Sequence, residues 1–401
     1  MIKIATVCSG IGSPEQALKE LGIKHEISFA CEIDKYARKT YLANFNPNIM
    51  FQDMTKESWD KTDIFNKEDK LYSDLFIGGI PCQSFSLAGK RLGELDPRGL
   101  LFFDFYRYVK KQQPKAFIIE NVKGLLSVAN GVTFQNWCYL LGRSTNTHIN
   151  MFNHEDSLLY NLHFAVLNSK DYGIPQNRER VFLVGIRNDL PNNFRFPKPQ
   201  RLNKRLIDLL EKNVDEKYFL SDNMVNYLKH NSDRTRIINE QTEISPCLLA
   251  NQAKVGTDAV LIKVGSLPGY ESSNRVYSDK GIAPALRAKQ QGLILISEGT
   301  KKGFVEAKTG DSINFSFPTS KTRRGRVGKE IAQTLDTQCN QGIICGERIR
   351  KYTPLECMRI MGYPDEYIKP CSDFQTYKQA GNSIVVNVIK AIIQQLLPII
   401  E

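Results

Sequence analysis

Three short segments put side chains able to do chemistry at the ends of apolar runs. Cys82 follows Asp74-Leu-Phe-Ile-Gly-Gly-Ile-Pro81 and opens a small, flexible stretch, Gln83-Ser-Phe-Ser-Leu-Ala-Gly89. A thiol at the end of a buried strand, before a glycine-bearing loop, stands where a doubly wound sheet presents groups to a ligand. A free cysteine is more often a small buried hydrophobe than a nucleophile, so the position alone leaves both readings open. Glu120 and Asn121 end the run Phe117-Ile-Ile119. A carboxylate there is costly unless used or paired, and in the same open sheet it faces the crevice of Cys82. A nucleophile with a buried acid is an activation pair. Gln176, Arg178 and Arg180 recur at period two before another apolar run, so all three point one way. Two guanidiniums there can hold a carbonyl oxygen, a phosphate or a neighbouring carboxylate. Each feature alone also has a structural explanation.

A fourth segment has the character of a cofactor loop. Cys8-Ser9-Gly10-Ile11-Gly12-Ser13-Pro14-Glu15 follows the first strand run, and Glu32 ends the second, 20 residues after Gly12. The glycines admit close backbone approach ahead of a helix N-terminus, and an acid at that distance can accept from ribose hydroxyls. The third glycine of the dinucleotide fingerprint is replaced by Glu15. A pyrophosphate would want that glycine. S-adenosylmethionine carries no phosphate and suits the loop better than NAD.

The elements that must position these residues alternate. Strand runs at Ile2–Val7, Ile27–Cys31, Asp74–Gly79, Ala116–Glu120, His163–Leu167 and Val181–Ile186, with a short one near Ile49–Phe51, are separated by helical patterns. The helical patterns are Pro14–Leu21, Lys35–Phe45, Gly99–Lys111 and Thr133–Leu141. This predicts an α/β fold, a doubly wound, mostly parallel Rossmann-like sheet with helices on both faces. Too few residues separate the last two runs for a helical crossover, which predicts an antiparallel hairpin at that edge. After Arg187 the texture changes: Pro191, Pro197 and Pro199, an expected helix over Arg201–Lys212, then short β-like runs. Segments starting at Arg234, Arg275 and Arg326 read as three strand–turn–strand units with polar turns rich in Asn, Gln and Lys, side chains suited to base edges. Thr353-Pro-Leu-Glu356 looks like a helix cap with Pro at the first position, and the apolar helix Ile384–Ile400 is expected to pack back on the first domain. The expected organisation is an α/β domain over 1–187, a smaller β-rich domain over 188–345, and a C-terminal segment over 346–401 that completes the first.

Composition narrows the class. The 401 residues are 41% hydrophobic and 24% charged, which suits a folded chain of two domains. The nine scattered cysteines include no C-x-x-C pair, arguing for a reducing cytoplasm over a disulfide framework or structural zinc. The first residues read as a strand, not a signal peptide, and no run of eighteen apolar residues occurs. The formal charge is +11. Between Arg187 and Cys345, 25 Lys and Arg stand against 17 Asp and Glu, so +8 of the excess lies there. That field favours a polyanionic partner.

The set Pro81-Cys82-Gln83, Glu120-Asn121-Val122 and Gln176-Asn-Arg178-Glu-Arg180, closed by Gly381-Asn382-Ser383, resembles the DNA cytosine-5 methyltransferases. The motif order matches, with a variable region over about 187–345, and the chain lacks the Pro-Pro-aromatic tetrapeptide of amino-group methyltransferases. The resemblance implies methyl transfer from S-adenosylmethionine to C5 of a flipped-out cytosine in a specific double-stranded DNA sequence. Cys82 would add to C6, Glu120 would hold N3 and the amino group, and Arg178 would bind O2. Pro81, Gln83, Asn121, Gln176 and Arg180 would brace the base pocket. Cys8, Ser9, Gly10, Ile11, Gly12, Glu32, Ile33, Asp53, Met54, Gly79, Leu101, Asn382 and Ser383 would line the cofactor pocket, and Gln83 to Leu101 would be the closing loop. The chain departs from the family at Cys8, where Phe is usual, and at Ile33, where an aromatic is sometimes seen. A polar segment between Gly142 and Ser157 is also longer than usual and holds His148 and His154; it reads as a surface insertion, with no metal site expected. Expected partners are DNA and, if the enzyme is half of a restriction–modification pair, a cognate restriction endonuclease, with a monomer and no membrane association. An RNA cytosine-5 methyltransferase and a non-catalytic DNA-binding relative are the rival readings.

Overall fold

A computed structural model describes residues 1–56, 70–80, 101–143, 155–221, 237–238, 261–266, 275–277, 294–317, 320, 322–345 and 348–401. The chain forms two compact units. The first holds Met1–Asn213, Ile331–Cys339 and Tyr352–Glu401; the second holds Val214–Glu330 and Asn340–Lys351.

The first unit is built on strands β1 (Ile2–Val7), β2 (His25–Cys31), β3 (Ile49–Phe51), β4 (Leu75–Gly78), β5 (Ala116–Val122), β6 (Gly142–Arg143), β7 (Tyr160–Asn168), β8 (Gln176–Asn177) and β9 (Glu179–Ile186). All but β8 join one sheet, in the order β3-β2-β1-β4-β5-β9-β7-β6. Pairing is parallel except where β9 runs antiparallel between β5 and β7. The expected hairpin is therefore present, but its second strand folds back into the sheet. Strand order reverses between β1 and β4, which opens a crevice beyond their carboxyl ends. Helices α1 (Ser13–Glu20), α2 (Lys35–Asn44), α3 (Leu101–Gln112) and α4 (Val132–Leu141) connect the strands. Their causes are local. Asp34 caps α2 by accepting from the N–H groups of Tyr36 and Ala37. In α3, Phe102, Phe105, Tyr106 and Val109 recur at helical spacing and are buried against the sheet, with the Phe105 ring stacked 4.5 Å from that of Phe76.

The chain returns to this unit through α5 (Pro354–Ile360), α6 (Asp373–Asn382) and α7 (Val386–Ile400). The expected cap is present as a full capping box, Thr353 with Glu356. Val386, Ile389, Ile392, Ile393 and Leu396 of α7 are buried, and α7 packs on α1. By length and composition Asp373–Ile400 could span a membrane, yet more than half of its apolar window is buried in this unit.

Three expectations need correction. Arg201–Lys212 is not a helix; only the single 3-10 turn Leu206–Leu209 forms. Asp208 accepts from the Arg205 N–H and closes that turn, with only Leu206 and Leu209 to bury. The third strand–turn–strand unit, which starts at Arg326 and runs through Ile331–Thr337, is not a hairpin. Its strand Ala332–Gln333 pairs in parallel with β8, which brings Ile331–Cys339 into the first unit although the sequence placed it within 188–345. The return to the first unit comes at Tyr352, since Arg348–Lys351 is a strand of the second. The other two repeats fall largely outside the described residues, including both of their turns.

The second unit is β-rich. Val327–Gly328, Ser312–Asn314, Gln341–Cys345 and Arg348–Lys351 form an antiparallel sheet, and Ile294–Ser297 pairs with Phe304–Ala307. Ile296, Ile313, Phe315, Ile344 and Ile349 are among its core residues.

Candidate active site

The crevice at the ends of β1, β4 and β5 collects most of the described candidates. A Cβ built on Gly79 would lie 3.6 Å from the Cys8 carbonyl oxygen and 3.9 Å from both Glu120 Oε2 and Ile384 Cδ1. Gly79 thus lies between the loop after β1 and the Glu120 carboxylate, at spacings that would still admit a Cβ in ordinary van der Waals contact. Asn121 is buried, and its Nδ2 donates to the Ile80 carbonyl oxygen at 3.3 Å. That bond ties the end of β5 to the residue next to Pro81. Pro81, Cys82 and Gln83, and the loop up to Leu101, lie outside the described residues; Leu101 itself begins α3.

The two arginines part company. In the β5–β9 register Arg180 stands opposite Val122 and Phe182 opposite Glu120, so Glu120 and Arg180 are diagonal neighbours on one face. Arg180 Nε lies 3.1 Å from Glu120 Oε1, with only 18% and 12% of the two side chains exposed. Arg178 sits in the break between β8 and β9 and is buried. It donates to the carbonyl oxygens of Leu335 at 3.4 Å, Gly381 at 3.1 Å and Ser383 at 2.9 Å. Burial, and then the charge of Arg180, push its pKa down to about 9, with Glu120 opposing. Arg178 is therefore committed to backbone, and the guanidinium beside the acid is Arg180. Gln176 is fully buried, with Nε2 3.6 Å from Met361 Sδ.

The cofactor loop is held from several sides. Cys8, Gly10 and Gly12 all have positive φ (49°, 57° and 83°). A side chain at 8 tolerates this region poorly; at Gly12 a Cβ would also run into the Phe45 ring. Ser9 Oγ lies 3.1 Å from the Cys31 carbonyl oxygen and 3.0 Å from the Cys31 nitrogen, clamping the loop to β2. Each oxygen of Glu32 accepts one backbone N–H at 2.8 Å, from Gly10 and from Asp34. Its remaining lone pairs suffice for two hydroxyl donors. Burial raises the Glu32 pKa. Beyond Glu32 an open cavity of about 450 Å³ is lined by Ile33, Met50, Phe51, Gln52, Asp53 and Lys56.

The Asp53 carboxylate accepts from the N–H and hydroxyl of Thr55, Met54 is buried in the core, and Ile11 is buried with its carbonyl accepting from the Tyr367 hydroxyl. Asn382 is exposed at the end of α6. Ser383 joins Ser13 and Tyr363 in a buried hydroxyl triangle of 2.7–2.8 Å sides. Sequence reasoning missed Phe51, Gln52 and Tyr363. An aromatic ending the third strand run, just before Asp53, was a usable signal for the first two; nothing local marks Tyr363. His148 and His154 lie outside the described residues, while His163 Nε2 is 2.7 Å from Asn192 Oδ1 and its ring packs on Phe194.

The sequence pattern of the C-5 cytosine-specific DNA methylases matches residues 2–398. The chain belongs to this family. This methylase is 31% identical to the orphan methyltransferase M.SPRI of Bacillus phage SPR, over 99% of the chain and 97% of the relative. It is 32% identical to the type II methyltransferase M.HhaI of Haemophilus parahaemolyticus, over 98% and 93%. Its fold is similar to that of a Spodoptera frugiperda DNMT2 variant, with a TM-score of 0.55 at 19% identity, covering 99% of this chain and 100% of that one. A similar likeness links it to the Entamoeba histolytica methyltransferase EhMeth, with a TM-score of 0.55 at 18% identity over 99% and 98%. The methylase is accordingly an enzyme that methylates cytosine C5 in DNA.

Proposed function

We propose that the enzyme transfers a methyl group from S-adenosylmethionine to a cytosine flipped out of a specific duplex sequence, through a covalent bond between Cys82 and C6. The observation that carries this is the Glu120–Arg180 pair at the carboxyl end of β5, beside the glycine loop at the topological switch point. Cytosine C5 is a poor nucleophile. Addition of the Cys82 thiolate to C6, with a proton supplied to N3 from Glu120, turns the ring into an enamine able to attack carbon through C5. Once C5 carries the methyl, loss of its proton re-forms the C5–C6 double bond and expels the Cys82 thiolate. Arg180 holds the Glu120 carboxylate in place and, with one Nη1 N–H on the Glu179 carbonyl, offers its remaining N–H groups to the base O2, where the resemblance implies Arg178. Arg178, Gln176 and Asn121 brace the pocket walls.

When bound, S-adenosylmethionine supplies an electrophilic methyl on a cationic sulfur. The residues present fit it: Glu32 keeps acceptor capacity for ribose hydroxyls, and the cavity at Ile33 and Phe51 offers an apolar wall to a purine. A base inside a duplex cannot reach these groups, so the target must be extruded. The second unit, with much of the positive excess, is the proposed reader of target sequence. Bisulfite sequencing of DNA from methylation-deficient cells expressing the chain tests this directly. The expected result is 5-methylcytosine confined to one short motif; unmethylated DNA, or methylation of RNA alone, would overturn it.

A further inference from the structure

The loop after strand Ser312–Asn314 of the second unit presents an aromatic ring that the core does not use. Phe317 is 73% exposed, while Phe315, two residues earlier, is buried in the core of that unit. Single exposed apolar residues are common, but this one is held out at a φ of 50°, a conformation costly for a bulky side chain. Arg326, wholly buried, is what holds it. Its guanidinium donates to the carbonyl oxygens of Asn314 at 3.3 Å, Ser316 at 3.1 Å and Phe317 at 2.6 Å. The Ser320 N–H donates to the same Phe317 oxygen at 3.0 Å. The ring is thereby fixed before any partner arrives. Cations stand beside it. Between Ser312 and Lys329 the sequence has Lys321, Arg323, Arg324, Arg326 and Lys329, and no Asp or Glu. The Arg323 guanidinium lies 5.8 Å from the centre of the Phe317 ring. The Gly299 N–H donates to the Arg323 carbonyl oxygen at 2.7 Å, and Arg324 Nε donates to the Gly299 carbonyl oxygen at 2.9 Å. These bonds bring the turn with the exposed Lys301 and Lys302 alongside. The neighbouring carboxylates are engaged elsewhere: Glu298 accepts from the Gly325 and Arg326 N–H groups, Asp311 pairs with Lys329, and Glu330 pairs with Lys308.

We propose that Phe317 is a base-stacking residue of the DNA interface, with Arg323, Arg324, Lys301 and Lys302 holding the flanking phosphates. A fixed ring flanked by cations has the chemistry of a nucleic-acid platform, since every base offers a π-face and every linkage an anion. In a duplex such a face is reached only at an opened step. The ring therefore acts as a wedge that partly unstacks one base step. The inference deepens the reading of the second unit as the reader of DNA and rests on it.

Fluorescence anisotropy of the full chain with a duplex carrying the methylated motif, alongside melting curves, tests this. Phe317→Ala should melt within a few degrees of wild type and bind the duplex about tenfold more weakly or worse. It should keep the wild-type salt slope, because no phosphate contact is lost. Arg323→Ala combined with Arg324→Ala should instead reduce that slope by about one to two. Phe317→Trp should recover affinity to within about threefold of wild type, and stacking should quench its added tryptophan when duplex saturates the protein. A Phe317→Ala variant that binds as wild type, or an added tryptophan whose emission the duplex leaves unchanged, overturns the proposal. Should Phe317→Ala fail to fold, the tryptophan variant decides. A wild-type dimer lost in Phe317→Ala, seen by sedimentation with duplex affinity unchanged, would assign the ring to a second copy instead. A wild type with no preference for the motif duplex over a scrambled one contradicts the underlying reading of the second unit.

Discussion

At the scale of single residues, the two arginines make the sharpest contrast. Arg180 faces Glu120 across the sheet, and Arg178 holds three backbone carbonyls from two other segments. Arg180→Ala should leave thermal stability within a few degrees of wild type and lower kcat by about 100-fold or more, the scale expected for a positioned acid–base group. Arg178→Ala should cost about 3 kcal/mol of stability, because it strands buried acceptors, and lower Tm accordingly. Parallel melting curves and single-turnover rates check both. Equal stability losses would erase the distinction. The sequence could not make it, since period-two spacing aims both side chains the same way; only the register with β5 decides which one reaches the acid.

At the scale of elements, the glycine-bearing turn from β1 into α1 was legible in the sequence, but its three left-handed residues were not all visible. Gly10 and Gly12 advertise positive φ, whereas Cys8 adopts it without being glycine. Gly10→Ala meets open space and should cost about 1–2 kcal/mol for its φ alone. Gly12→Ala adds a clash with the Phe45 ring and should destabilise more and abolish S-adenosylmethionine binding, as melting curves with and without the ligand would show. The alternation of β1 to β5 with helices was readable because each run is long and apolar. The region after Arg187 was not, because short strands take their partners from elsewhere: Ala332–Gln333 pairs with β8, about 155 residues earlier. His163, on β7, adds a pH test. Burial lowers its pKa below the ordinary value of about 6.5, against the hydrogen bond to Asn192. A depressed folded pKa gives stability that is full above the ordinary value and is lost as pH falls through the folded one. Wild type should therefore lose Tm relative to His163→Gln below about pH 6 and not at pH 8.

At the scale of the whole molecule, a net charge of +11, most of it between Arg187 and Cys345, makes DNA affinity salt-dependent. Binding to any duplex should weaken steeply between about 50 and 200 mM salt, while preference for the target motif changes little, because phosphate contacts carry no sequence information. Fluorescence anisotropy with target and scrambled duplexes reads both. The same division separates chemistry from targeting: Cys82→Ser should lose nearly all methylation and keep sequence-specific DNA binding. The claim that binds these scales together is the covalent step at Cys82, and 5-fluorocytosine tests it, because fluorine at C5 cannot leave as the proton does. With S-adenosylmethionine and a duplex library substituted throughout with 5-fluorocytosine, a denaturation-stable adduct should form and map by mass spectrometry to the peptide containing Cys82. An enzyme that methylates ordinary cytosine yet forms no adduct, or forms it at another residue, would contradict the account.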